Sequence, residues 1–158
     1  MMSNAEGYHV EGNMTRHRMA LAASAALLLL AVVPAAVSAA PGGKVSITIN
    51  VSDTETFTTT GGILCASGTA TTDFDHFGGG PVAGSFHLTK TLVCDGNPAD
   101  TFTIRVNAAT VFGSPTDQGG WSVAGGTGAY AGLSGGGNVV GTYVENGIID
   151  HYTGSVRL

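Results

Sequence analysis

From Lys44 onward, short runs in which apolar and polar residues alternate are separated by turn residues, and no run keeps helical spacing for the length of a helix. Strict alternation places one set of side chains on each face of an extended strand, so it predicts half-buried β-structure. Val45, Ile47, Ile49 and Val51 alternate with Lys44, Ser46, Thr48 and Asn50. Residues 54–60 read as a second, polar strand ended by Gly61-Gly62, and Ile63–Thr72 as a third. Asp73–Gly84, with three consecutive glycines and Pro81, reads as a loop.

The next two runs are the strongest pair. In Ser85–Cys94, Phe86, Leu88, Lys90, Leu92 and Cys94 share one face. In Thr101–Val111, Phe102, Ile104, Val106 and Ala108 do the same. Asp95-Gly96-Asn97-Pro98 between them is a turn signal. Asp117–Gly120 reads as a turn into Trp121–Ala124, Asn138–Glu145 as a strand, Asn146-Gly147 as a two-residue hairpin turn, and Ile148–Leu158 as the last strand. About eight antiparallel strands are expected. A closed eight-stranded barrel would hide every strand edge. A two-sheet sandwich satisfies the same alternation.

Residues 1–39 have a different character. Arg16, His17 and Arg18 precede an apolar run, Met19–Val33, that Pro34 ends, and small residues follow to Ala40. This is the layout of a secretory signal peptide, and the run is short for a membrane span. Cleavage after Ala39 or Ala40 satisfies the small-residue rule, and Ala39 is preferred. The acidic Glu6 and Glu11 precede a more ordinary start at Met14, which suggests an upstream-extended reading frame. The expected mature domain is then residues 40–158, secreted and without a stable membrane anchor. It carries Lys44, Lys90, Arg105 and Arg157 against nine acids. With no basic stripe, nucleic acid is not an expected partner. Export favours oxidation of Cys65 and Cys94, which can form one intramolecular bridge.

The stretch Gly125–Gly137, GGTGAYAGLSGGG, holds seven of the chain's 25 glycines. It matches two functional patterns superficially. Gly126-x-Gly128-x-x-Ala131 resembles a dinucleotide fingerprint, and Gly132-Leu133-Ser134-Gly135-Gly136 a nucleophile elbow, but both need a helix afterwards. Here a strand follows. Asp150 and His151, neighbours in a strand, point to opposite faces and are ill placed for one triad with Ser134. Asp73-Phe74-Asp75-His76 fails the calcium-loop pattern, since Phe77 stands where an oxygen ligand is required. No metal or cofactor is expected. The remaining reading is structural: Gly126, Gly128 and Gly132 supply tight turns, and Tyr130 and Leu133 face one way and plug a barrel end. Lys90, Arg105, Glu145 and Asp150 are the charged residues within strands. They are the candidates to line a polar mouth, although exposure to solvent is the preferred explanation, since strand faces in water normally carry alternating polar residues.

Gly125-Gly126-Thr127-Gly128-Ala129-Tyr130-Ala131-Gly132-Leu133-Ser134-Gly135 resembles the Gly-Gly-Ser/Thr-Gly-x-aromatic-x-Gly-x-x-Gly element of the allene oxide cyclase and dirigent barrel superfamily. The chain as a whole is similar to small secreted bacterial members of that group. The resemblance implies an eight-stranded antiparallel barrel that binds hydrophobic or phenolic small molecules, with either a monomer or a trimer as the assembly. It assigns no catalytic residue, and this turn lacks the arginine that dirigent proteins usually carry nearby. Three functions follow as expectations. The first is non-catalytic binding of a small apolar ligand or an envelope partner. The others are a cyclase-like isomerase and a purely structural exported protein. The barrel interior discriminates among them.

Overall fold

The computed structural model describes residues 42–52 and 54–158. The signal-peptide reading of residues 1–39 lies outside the described residues. The eight strands are β1 (Gly43–Val51), β2 (Thr56–Thr60), β3 (Ser67–Gly79), β4 (Ala83–Cys94), β5 (Thr101–Val111), β6 (Thr116–Gly126), β7 (Ser134–Val144) and β8 (Gly147–Arg157). Each pairs antiparallel with its neighbours in sequence, and β1 pairs with β8, so the sheet closes into a barrel. Closure, rather than a two-sheet sandwich, leaves no edge unpaired.

The alternation read from the sequence becomes the inside and outside of this barrel. Val45, Ile47 and Ile49 from β1, Leu92 and Cys94 from β4, and Phe102, Ile104 and Val106 from β5 point into a common core. Phe57 and Phe102 meet edge to face at 5.8 Å, and Trp121 and Tyr152 do the same at 6.2 Å. Such aromatic contacts add to the burial of apolar area.

Three local expectations need correction. Residues 73–79 and 83–84 are not a loop. They extend β3 and β4 into a long hairpin whose turn is only Gly80-Pro81-Val82. A bulge between Phe74 and His76 lets Phe74 face Leu88 and Phe77 face Phe86, so pairing with β4 overrides the weak local strand preference of this glycine-rich run. Ile63–Cys65 lie in the β2–β3 connection instead of a strand. Finally, Asp117–Gly120 is β-structure. Gly119 and Gly120 read as turn residues, yet an ideal Cβ on Gly119 would collide with the Asn107 carbonyl on β5. Close strand approach explains that glycine.

The connections alternate between the two ends of the barrel. The β2–β3, β4–β5 and β6–β7 connections gather at one end, which is closed. There, Gly128–Tyr130 forms a single 3₁₀ turn, with Gly128 at φ +56° and Gly132 at φ +90°. Glycine reaches these angles without strain. Asp100 braces the turn by accepting the Ala129 N–H at 2.8 Å. Tyr130 and Leu133 are buried, and Tyr130 meets Phe102 edge to face at 5.4 Å. The Cys65–Cys94 disulfide spans the same end, with the Tyr130 hydroxyl 3.8 Å from Cys94 Sγ. Burial holds the Tyr130 phenol above its ordinary value; backbone hydrogen bonding from Cys65 opposes this, and Asp100 reinforces it.

Candidate functional site

The opposite end carries the β1–β2, β3–β4, β5–β6 and β7–β8 turns, and a cavity of about 230 Å³ lies beneath them. Its wall is mostly apolar: Val51, Phe74, Phe86, Leu88, Val106, Ala108, Val139 and Ile148 contribute to it. Phe74 is 65 % exposed and Tyr143 44 %, so the cavity reaches solvent at this end. Further apolar side chains surround the rim. Phe77 stacks near Phe86 at 5.6 Å and near Phe112 at 6.3 Å. The Phe112 N–H donates to the Val82 carbonyl at 2.9 Å, tying the β5–β6 turn to the β3–β4 turn.

A polar cluster is set into this apolar wall. Lys90 is on the inward face of β4 and only 2 % exposed. Its ammonium lies 3.6 Å from Glu55 Oε2 and 3.6 Å from Asp150 Oδ2. It also donates to Thr72 Oγ1 at 2.7 Å, and that hydroxyl donates onward to Glu55 Oε2 at 2.7 Å. Asp150, on β8, accepts the Tyr152 hydroxyl at 3.0 Å. Burial raises the Asp150 carboxyl above its ordinary 3.8, against the pull of Lys90 and Tyr152. Burial and the adjoining carboxylates, Asp150 first, raise the Tyr152 phenol, so it stays a hydrogen-bond donor. Asp117, on β6, accepts the Gly141 N–H at 3.0 Å and the Tyr143 hydroxyl at 3.3 Å.

Of the four charged candidates, Lys90 and Asp150 therefore meet inside the barrel. The other two do not join them. Arg105 points outward from β5 and is exposed, because its neighbours Ile104 and Val106 take the inward positions. Glu145 is exposed in the β7–β8 turn instead of a strand. Glu55, Thr72, Asp117 and Tyr152 complete the cluster and escaped the sequence reading. Tyr152 carried a usable signal, since it lies two residues after Asp150 and so shares its face. Glu55 and Asp117 carried none, because each read as part of a polar or turn segment.

Other sequence motifs find ordinary surroundings. Ser134 Oγ bonds to the Arg157 carbonyl at 3.4 Å and accepts from Arg157 Nε at 3.3 Å, with no histidine among its hydrogen-bond partners. His151 faces outward beside Thr48, 3.2 Å from its hydroxyl. Among the described residues, no group of three or more His, Cys, Asp or Glu side chains is placed to hold a metal ion.

No family model, curated protein or solved structure matches the chain.

Proposed function

We propose that this protein is an extracellular binding protein whose barrel holds a small, largely apolar molecule in the cavity at its open end. One observation carries the reading: an apolar cavity opens at one barrel end while the other end is filled by Tyr130, Leu133 and the disulfide. Ligand sites are concave and mostly apolar, with a few polar groups that orient the ligand. At about 230 Å³ this one is smaller than most, which suits a molecule of about one ring with a short substituent. The buried disulfide fits an oxidising, extracellular compartment. The open cavity weighs against a purely structural role. The resemblance to the allene oxide cyclase and dirigent barrels supports the same kind of ligand.

A second reading is favoured by a separate observation. Lys90 and Asp150 form an ion pair in the cavity wall, and Asp150 has a raised carboxyl. A buried acid beside a cavity could move a proton in a cyclase-like isomerisation. Native mass spectrometry of protein purified from its own host tests binding: a co-purifying small molecule is expected, and repeated apo spectra across growth conditions would count against it. Returning that molecule to ligand-free protein separates the two readings. Unchanged chromatographic retention supports a carrier, whereas conversion to an isomer supports an enzyme.

A further inference from the structure

Asp117, Gly141 and Asp150 stand side by side on three adjacent strands. Asp117 pairs with Gly141 across β6–β7, and Gly141 pairs with Asp150 across β7–β8. All three face inward and are buried. Gly141 has no side chain, and an ideal Cβ there would overlap Asp117 Oδ1 and lie 2.9 Å from Asp150 Oδ1. The two carboxylates thus converge over a glycine that leaves room for both. Both also line the cavity.

Their charges are unequally compensated. Lys90 is the cation of this wall, and Glu55 and Asp150 share it. Asp117 is held by neutral donors, the Gly141 N–H and the Tyr143 hydroxyl. Asp150 uses Oδ2 for both Lys90 and Tyr152. Its Oδ1 accepts no hydrogen bond among the described residues, although the Asp150 side chain is only 11 % exposed. No fully enclosed side-chain oxygen or nitrogen there lacks a partner, so Oδ1 is reached from the cavity. Two carboxylates therefore share one ammonium, a third beside them has neutral donors alone, and a free carboxylate oxygen faces the space where a ligand would lie. A buried carboxylate is costly unless a donor or a cation meets it.

We infer that the cavity selects a ligand with an apolar body and a protonated amine, seated between Asp117 and Asp150. This rests on the binding reading above and names the ligand class for it. The apolar body lies against Val106, Ala108, Val139 and Ile148, which share the cavity wall with the two carboxylates. The ammonium supplies the missing positive charge and donates to Asp150 Oδ1 and Asp117 Oδ1. A carboxylate headgroup would instead add a fourth anion to the cluster. Asp117 already contributes to the raised Asp150 carboxyl, after burial, and a bound cation would relieve that repulsion.

Calorimetric titration with three matched probes tests the inference: 2-phenylethylamine, 2-phenylethanol and 3-phenylpropanoate at pH 7. The amine should bind at least about tenfold more tightly than the alcohol, and the carboxylate should bind most weakly. Asp117→Asn and Asp150→Asn should each shrink the amine-to-alcohol ratio below about threefold. Near-ultraviolet circular dichroism checks that each variant keeps native packing, and either variant alone suffices if the other does not fold. Equal binding of amine and alcohol, or tightest binding of the carboxylate, overturns the amine inference and leaves the binding reading standing. A preference for the amine that survives in a folded variant also overturns it. Failure of all three probes to bind counts against the binding reading itself and removes the inference with it.

Discussion

Lys90 holds its ammonium between two carboxylates in a wall that is otherwise apolar. Removing one partner from such a group leaves the others buried and uncompensated, which costs about 3–5 kcal/mol. Lys90→Met is therefore expected to lose about 3 kcal/mol at pH 7 in urea unfolding, with part of the loss recovered at pH 4, as the raised Asp150 carboxyl takes up a proton. An equal loss at both pH values would show that packing of the stem, not charge, is what matters. Asp150 gives a second test. Its carboxyl is raised by burial, so the folded protein retains a proton that the unfolded chain has released. Stability contributed by Asp150 is thus highest below pH 3.8, falls as pH rises toward the folded value, and stays low above it. The stability difference between Asp150→Asn and the parent protein should move in favour of the variant between pH 3 and pH 7. A difference that moves the other way would mean that the ionised form is the favoured one in the barrel.

The closed end depends on two elements of unequal origin. The 3₁₀ turn is local: Gly128 and Gly132 set its backbone, and Tyr130 drops onto Phe102. Tyr130→Ala should cost about 3 kcal/mol, the usual range for truncating a large buried side chain. A change below about 0.5 kcal/mol, typical of surface positions, would remove its role as a plug. The second element is the β2 seam. β2 pairs with β3 only over Thr56–Thr58, whereas β4 and β5 pair along nearly their whole lengths. The disulfide ties the β2–β3 connection to the end of β4, next to this short seam. Replacing both cysteines by serine should lower stability by about 3–4 kcal/mol, as expected for a loop of this length. In hydrogen exchange, the amides of Thr56–Thr60 should lose protection first, ahead of those of Phe102–Ala108. Uniform loss across the barrel would show that the seam is no weaker than the rest.

As a molecule, the barrel is sealed and braced at one end and open at the other. Several exposed apolar side chains lie at the open end, where Phe74 and Tyr143 line the cavity and Val82 and Phe112 sit in the turns beside it. Phe74 both lines the cavity and remains 65 % exposed, so it has little native burial to lose. Phe74→Ser should cost under about 1 kcal/mol in unfolding free energy. It should still weaken binding of neutral 2-phenylethanol about fivefold, because a bound ligand covers part of that ring. Unchanged probe affinity in the folded variant would place the ligand deeper than this ring.

Much of the inside of the barrel was legible before any tertiary contact was known. The inward rows of β1, β4 and β5, including Lys90 beside Phe86, Leu88 and Leu92, follow from alternation alone, because a strand has a two-residue period. The plug at Tyr130 and Leu133 was legible because glycine spacing constrains local backbone shape. Tertiary pairing decided the rest. Asp117-Gln118-Gly119-Gly120 has turn composition and becomes strand only because β5 and β7 bond to it on both sides. Arg105 and Lys90 are both strand cations, yet one is outside and the other inside. Their own runs predict that difference, but not that Lys90 would meet Glu55 and Asp150 from distant parts of the chain. The convergence of Asp117 and Asp150 over Gly141 is set by register between three strands, and register is a property of the closed sheet.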